Sequence, residues 1–454
     1  MPRILHLGLG AFHRAHQAVY LQRLIDSGDT TWTLAGGNLR PDQEQVIVQL
    51  RAQGGAYHLL TIEPDGSSTF RRIAAIREVV PWDADLADLR RLARDPETRI
   101  ISFTVTEGGY LLRPGGGLDR GSAEVRAAAA DARQGRPGTT WHGALACLLR
   151  ERMAAGAGPV TLLCCDNLRH NGDRSRAALL DFIELLPDPG LAEWVRRNTT
   201  SPNGMVDRIT PRPTLEVALR LKEQTGQDDP CGLMAEGFIQ WVVEDDFAAG
   251  RPPWERVGVE MTASVQPWEE AKIRLLNATH SCLAWAGALA GLSFVHEAVA
   301  DDRIRAVAHR YASDAAIPLL QPSPLDLPAY RDTVLARFGN AAIRDTNQRV
   351  ASDSFAKIPA FLAPTVRECL ARRRPLEPVA AVAALFAAFL QRWAAGSLPF
   401  DYQDASMDPQ LARSVAATPR ALAALPVLWG EAADAAAWRE AVAAEHGRLA
   451  APFR

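Results

Sequence analysis

The sequence predicts a parallel α/β unit joined to an all-helical one, and three observations predict it. Short apolar runs rich in β-branched residues alternate with helix-length patterns through the first half of the chain. From about Trp268 onward, amphipathic or alanine-rich helical segments take over and convincing strand runs are absent. The chain has 454 residues, room for about two to three domains.

Taken in order, Ile4-Leu5-His6-Leu7 is the first expected strand, and Phe12 to Ser27 the helix after it, with Val19, Leu21, Leu24 and Ile25 apolar. Trp32 to Ala35 is the second strand, Ile100 to Val105 the third and Val160 to Cys165 the fourth. Helical patterns at Leu86 to Leu92 and Trp141 to Ala154 lie between them, which calls for a parallel sheet with helices on both faces. Gly115 to Gly121 is an expected surface loop. In the second half the helical segments are Glu269 to Leu289, Asp301 to Ala312, Ile358 to Arg372, Val379 to Ala395 and Ala432 to Ala450. Breaks such as Leu320-Gln321-Pro322-Ser323-Pro324 separate them. The expected domains are therefore 1–265 and 266–454.

Composition narrows the function classes. Hydrophobic residues are 47% and charged residues 23%, the balance of an ordinary globular protein, and the net charge of -3 gives no global attraction to nucleic acid or membrane. Arg372-Arg373-Arg374 is read as a solvated helix end rather than a nucleic-acid patch. The longest apolar run, Val379 to Leu390, falls short of the roughly 20 residues a bilayer requires. No secretory leader is recognisable, and six cysteines without a CxxC pair suit neither a disulfide framework nor a zinc ribbon. A cytoplasmic protein is expected. No interface stripe marks the helical part, so no oligomeric state is expected from it.

Gly8-Leu9-Gly10-Ala11-Phe12-His13 follows the first strand and opens a helix, the setting of a dinucleotide phosphate loop. Glycine permits the tight turn and a close backbone approach to pyrophosphate. His13 replaces the third glycine of the usual fingerprint. Gly8, Gly10, Ala11, Phe12, His13 and Arg14 are the expected cofactor-binding residues. Asp42, in the loop after the second strand, is placed to bind the adenine ribose or to be a solvated loop acid. An acid there favours NAD over NADP, and nearby Arg40 works against that preference. His6, His13 and His16 match no common zinc spacing, so no metal is expected.

Lys272, Asn277 and His280 fall within one arc of roughly 140° on an ideal helix. A core helix with a few satisfied polar groups has the same spacing. The chemistry suggests more. Alcohol oxidation needs a base for the hydroxyl proton and donors for the developing alkoxide. A lysine desolvated beside a cationic cofactor can become that base, and an asparagine can donate without changing charge.

The Lys-x4-Asn-x2-His pattern at Lys272, Asn277 and His280 resembles the signature of the mannitol dehydrogenase family, the polyol-specific long-chain dehydrogenases/reductases. Gly8 to Gln17, Thr104 to Tyr110, Cys165 to Gly172 and Pro202 to Pro211 resemble the same family, in order, as far as about Lys357. The resemblance implies a Rossmann-like N-terminal domain, a mostly helical C-terminal domain and an active site in the cleft between them. It implies catalysis without metal, with NAD as cofactor and NADP not excluded. By that resemblance Lys272 is the general base, Asn167 and Asn277 form the oxyanion hole, and His280 hydrogen-bonds the substrate. Asp207, Arg349 and Lys357 match further substrate-contacting positions, and Glu107 and Glu269 acidic positions tied to proton release. From the residues alone, Asn167 could equally be a turn asparagine, and Asp207 with Arg208 an ordinary surface pair.

The expected reaction is oxidation of a sugar alcohol to a ketose, of the mannitol-to-fructose type, and its reverse. The alternatives are an arabinitol or sorbitol dehydrogenase, or a hexuronate reductase acting on fructuronate or tagaturonate, because Arg349 and Lys357 suit a hydroxyl or a carboxylate. A catalytically dead nucleotide sensor is disfavoured by the presence of all four catalytic side chains. A zinc alcohol dehydrogenase is disfavoured by the lack of a ligand set. Relative to some members of that family, the chain lacks an N-terminal extension, and Gly36 to Asp42 departs from commoner forms of the cofactor-selecting loop.

Overall fold

A computed structural model describes residues 1–105, 107–113 and 116–449, with only the backbone of Glu107. The chain divides into two compact units. The first comprises Met1–Ile62 and Ser68–Gln266, the second Glu63–Ser67 and Pro267–Arg454.

The described residues of the first unit form twelve strands. They are β1 Arg3–Leu7, β2 Thr33–Gly37, β3 Tyr57–Ile62, β4 Ser68–Ile73, β5 Ile76–Val80, β6 Thr98–Phe103, β7 Val160–Cys164, β8 Thr199–Thr200, β9 Gly204–Asp207, β10 Leu233–Glu236, β11 Gln240–Glu244 and β12 Glu260–Thr262. Six of them form a wholly parallel sheet in the order β5-β2-β1-β6-β7-β8. Counted along this sheet alone, that is the 3-2-1-4-5-6 order of a Rossmann fold, whose strand order reverses between β1 and β6. The sheet is buried on both faces, and neighbouring residues of a strand go to opposite layers. Leu5, Leu7, Leu162 and Cys164 join one core, Ile4, Leu163 and Cys165 the other.

The expected helix Phe12 to Ser27 is two helices, Ala11–Ala15 and Gln17–Asp26, broken at His16. His16 leaves helical geometry at φ −124° and its Nε2 meets the Gln240 carbonyl oxygen at 2.8 Å. Two three-stranded sheets, β10-β3-β4 and β12-β11-β9, complete the unit.

The second unit is helical. Its described residues hold no paired strand, only an isolated bridge between Phe294 and Thr346. One core runs through it from Ala271 to Val442. The expected helix Glu269 to Leu289 begins as Gln266–Ala271, widens into a π turn over Lys272–Asn277 and resumes as Ala278–Leu289. The Ala278 N–H bonds the carbonyl of Ile273, five residues back. A second π turn, Tyr311–Ala316, packs against the first. Ile358 to Arg372 is likewise two helices, Ser354–Phe361 and Ala363–Ala371, the first containing Pro359. Among the described residues no helix is long and apolar enough to cross a membrane.

Candidate active site

The phosphate-loop candidates sit at the C-terminal end of β1, beside the strand-order reversal, where open parallel sheets take their ligands. Gly8 has φ +105°, and a Cβ there would lie 2.4 Å from the Thr104 carbonyl oxygen, so only glycine fits. A Cβ on Gly10 would meet nothing within 4 Å, which leaves the backbone open beside it. Gly10 caps the helix Ala11–Ala15, whose first turn carries no acidic residue.

His6 braces this turn from within the sheet. Its Nδ1 pairs with Ser102 Oγ at 2.8 Å, and its Nε2 lies 3.0 Å from the Gly8 carbonyl oxygen and 3.2 Å from Thr104 Oγ1. Burial pushes the His6 imidazole down to about 3, against the opposing effect of the Gly8 carbonyl. His13 stacks on it, ring centroids 3.4 Å apart, and burial holds His13 neutral as well. Arg14 is also turned inward and donates to the Cys231 carbonyl oxygen at 2.5 Å. The side chains of His13 and Arg14 are therefore interior struts.

At the end of β2 stands Asn38, not an acid. Its Oδ1 accepts the Leu9 N–H at 3.0 Å, and its Nδ2 donates to the Asp42 carbonyl oxygen at 3.2 Å. The Asp42 carboxylate is exposed and paired with Arg40 at 2.8 Å. Asn38 does not stand out in the sequence, because an amide lacks the charge that marks a ribose-binding position.

Asn167 follows β7 at the same end of the sheet and is exposed. The loop that carries it is anchored from below. Asp166 accepts the Val105 N–H at 2.9 Å and the Tyr110 hydroxyl at 2.6 Å. Asn171, wholly buried, donates to the carbonyls of Cys164 and Asp166 and accepts the Gly204 N–H at 2.8 Å. Gly172 is in close approach, since a Cβ would lie 2.3 Å from the Ser201 carbonyl oxygen. Asp207 ends β9 and is 6% exposed, so it is no surface acid. Arg208 is buried too, donating to the carbonyls of Glu236 and Ala15. The surface-pair alternative for these two residues is thereby overturned.

In the second unit, Lys272, Asn277 and His280 do share one helix. Lys272 is 6% exposed and Glu269, one turn earlier, 4%, while Asn277 and His280 are half-buried. The π turn changes the expected geometry. A wider turn brings positions five apart over one another, and Lys272 and Asn277 are five apart.

His280 stacks on Phe338 at 4.4 Å, and its Nε2 is 3.3 Å from Asp345 Oδ2. Burial keeps its imidazole below the usual histidine range, with Asp345 opposing. Asp345 also holds Arg349, whose Nε donates to Oδ1 at 2.6 Å and Nη2 to Oδ2 at 2.5 Å. Burial pushes the Asp345 carboxyl up, but the adjoining His280 and the two hydrogen bonds from Arg349 outweigh it and hold the group well below the usual carboxylate range. Lys357 Nζ donates to the carbonyls of Val350 and Ser352 at 2.9 and 2.6 Å. Burial, and then the neighbouring Arg349, hold its ammonium below the usual lysine range. Asp345 was not singled out in the sequence, although its place four residues before Arg349 was a readable signal.

The side chain of Glu107 lies outside the described residues, as do Thr106 and Gly115. Among the described residues no three His, Cys, Asp or Glu side chains cluster to hold a metal ion.

Family models match nearly the whole chain. A mannitol dehydrogenase Rossmann domain covers residues 2–256, and a mannitol dehydrogenase C-terminal domain covers 264–449. A D-arabinitol 4-dehydrogenase of Ralstonia nicotianae is 51% identical over 456 residues, covering 99% of this chain and 97% of its own. Two solved structures are similar throughout. One is a D-sorbitol dehydrogenase in substrate-free form, with TM-score 0.90 and 35% identity over 100% of this chain and 94% of its own. The other is a Pseudomonas fluorescens mannitol 2-dehydrogenase in ternary complex with NAD and D-mannitol, with TM-score 0.84 and 33% identity over 100% and 92%.

Proposed function

The chain belongs to the mannitol dehydrogenase family, and on that premise we propose that it oxidises a neutral sugar alcohol to a ketose, and reverses the reaction, with NAD. D-arabinitol is the first candidate substrate, because the 51% identity to a D-arabinitol 4-dehydrogenase extends over both chains almost end to end. Oxidation at C4 of that polyol gives xylulose. The observation that carries the chemistry is the buried Lys272 at the start of a π turn that ends at Asn277.

The residues present fit a dinucleotide. Gly8 and Gly10 form a turn that keeps side chains away from the Ala11–Ala15 helix start, and no acid in its first turn repels a pyrophosphate. Asp42 fits the ribose only as half of its pair with Arg40, a pair close to neutral, so NADP is disfavoured weakly. When bound, the nicotinamide supplies the hydride acceptor for oxidation and the donor for reduction.

The protein's part is positional and protonic. Lys272 Nζ takes the proton of the reacting hydroxyl and returns it in the reverse direction. The amides of Asn277 and Asn167 donate to the oxygen as it becomes an alkoxide, strengthening where charge develops. His280, neutral by burial, hydrogen-bonds a neighbouring hydroxyl, and Asp207, Arg349 and Lys357 contact the rest of the polyol. Glu269, buried one turn before Lys272, and Glu107 are assigned to carrying the released proton outward.

The test is Lys272→Ala assayed for NAD reduction with D-arabinitol. Its rate falls by about a hundred- to ten-thousandfold, the range of a lost acid–base group. Added methylamine or ethylamine restores part of it. Full activity in the variant removes lysine from the role of base.

A further inference from the structure

We propose that Asp345 reserves this site for neutral polyols against sugar acids, by balancing the charge of the Arg349 guanidinium and setting its own carboxylate beside it. The inference rests on the reading that His280 and Arg349 contact substrate. A guanidinium recognises a carboxylate through two parallel N–H donors. In Arg349 the Nε and Nη2 donors are both taken by Asp345, although the side chain as a whole is 67% exposed. Nη1 and the second Nη2 hydrogen remain as an end-on face, but the charge behind that face is already balanced by Asp345, which leaves it suited to hydroxyls and weak for an anion.

The other cation nearby is spent in the same way. Two of the three Lys357 Nζ donors go to the Val350 and Ser352 carbonyls. His280 offers no positive charge either, since burial keeps it neutral. An incoming carboxylate would meet a half-saturated guanidinium and, behind it, the negative charge of Asp345. A hydroxyl carries no charge and bears no such cost, which is discrimination by repulsion as much as by fit.

Asp345 is also held in place. Its carbonyl oxygen accepts the Val295 N–H at 2.9 Å, and its side chain is 10% exposed between His280 and Arg349. It cannot swing aside without giving up both partners. Neutralising it is therefore the change that frees Arg349 for an acid.

The experiment titrates three compounds into the full chain saturated with NADH, followed by calorimetry. D-arabinitol is the neutral probe. D-arabinonate and D-lyxonate carry a carboxylate at opposite ends of the same carbon chain. In Asp345→Asn, the Kd of at least one acid falls about tenfold, the order of one desolvated charge pair, while D-arabinitol binds more weakly and NADH affinity stays the same. Adding Arg349→Ala to that variant abolishes the gain. Asp345→Ser gives the same result should the asparagine variant fail to fold. Unchanged acid affinity in both folded variants overturns the proposal, because a merely structural Asp345 would weaken polyol binding without admitting acids. Unchanged D-arabinitol affinity in Arg349→Ala alone overturns the underlying substrate contact, and the proposal with it.

Discussion

A turn that accommodates one extra residue opens at Lys272 and closes at Asn277, and the proposed function gives each a separable task. On that proposal the lysine moves a proton, whereas the asparagine only stabilises charge that forms on the way to the ketone. Asn277→Ala and Asn167→Ala are therefore expected to lower kcat by about a hundred- to a thousandfold with smaller changes in KM, the cost of one oxyanion donor. A rise in KM at constant kcat would make these amides ordinary binding groups. At this scale the sequence was legible where residue type alone speaks: lysine, amide and imidazole at helical spacing. It was silent on direction. His13 and Arg14 lie in the loop motif, yet their side chains stack on His6 and reach the Cys231 carbonyl inside the unit. Asp345 stayed hidden because an acid four residues before an arginine is also an ordinary surface pair.

The inner strands of the parallel sheet were legible, whereas short buried strands such as Gly204–Asp207 and Leu233–Glu236 were not. β1, β2, β6 and β7 lie inside a parallel sheet and read as short, mostly apolar runs. The β3–β4 hairpin and β5 escaped notice because charged and exposed positions interrupt them, as in Ser68-Thr69-Phe70-Arg71-Arg72-Ile73 and Ile76-Arg77-Glu78-Val79-Val80. The π turn has no compositional mark at all. It arises from backbone pairing five residues apart, which no side-chain periodicity encodes. Helix starts, by contrast, follow local rules. Asp301 caps Asp302–Arg310, its carboxylate accepting the N–H groups of Arg303 and Ile304. The Arg303 side chain, then those backbone donors, hold its carboxyl down to about 2. Its folded value lies below an unfolded value of about 3.9, so the stabilisation is complete above that and lost as pH falls toward 2. Asp301→Ala is expected to cost about 1 kcal/mol at pH 7. In urea unfolding the gap to the unmodified protein narrows at pH 3. A gap of constant size across that range would show that the carboxylate charge is not what caps the helix.

Over the whole molecule, an N-terminal Rossmann-like unit carries the cofactor turn, Asn167 and Asp207, and a helical unit carries Lys272, Asn277, His280, Arg349 and Lys357. The change in pattern near residue 265 was visible because a parallel sheet and a helical bundle bury apolar residues with different periods. The choice among polyols was not visible, since neutral sugar alcohols differ only in the arrangement of hydroxyls that the same side chains can meet. The central claim, a dehydrogenase of neutral polyols, is tested most directly by a panel of reductions followed through NADH oxidation in the presence of EDTA. The panel holds xylulose, fructose, tagatose, fructuronate and tagaturonate, each repeated with NADPH. The account predicts turnover with neutral ketoses, xylulose foremost, and little with either uronate. Turnover confined to the uronates, or none with any compound while NADH still binds, would contradict it.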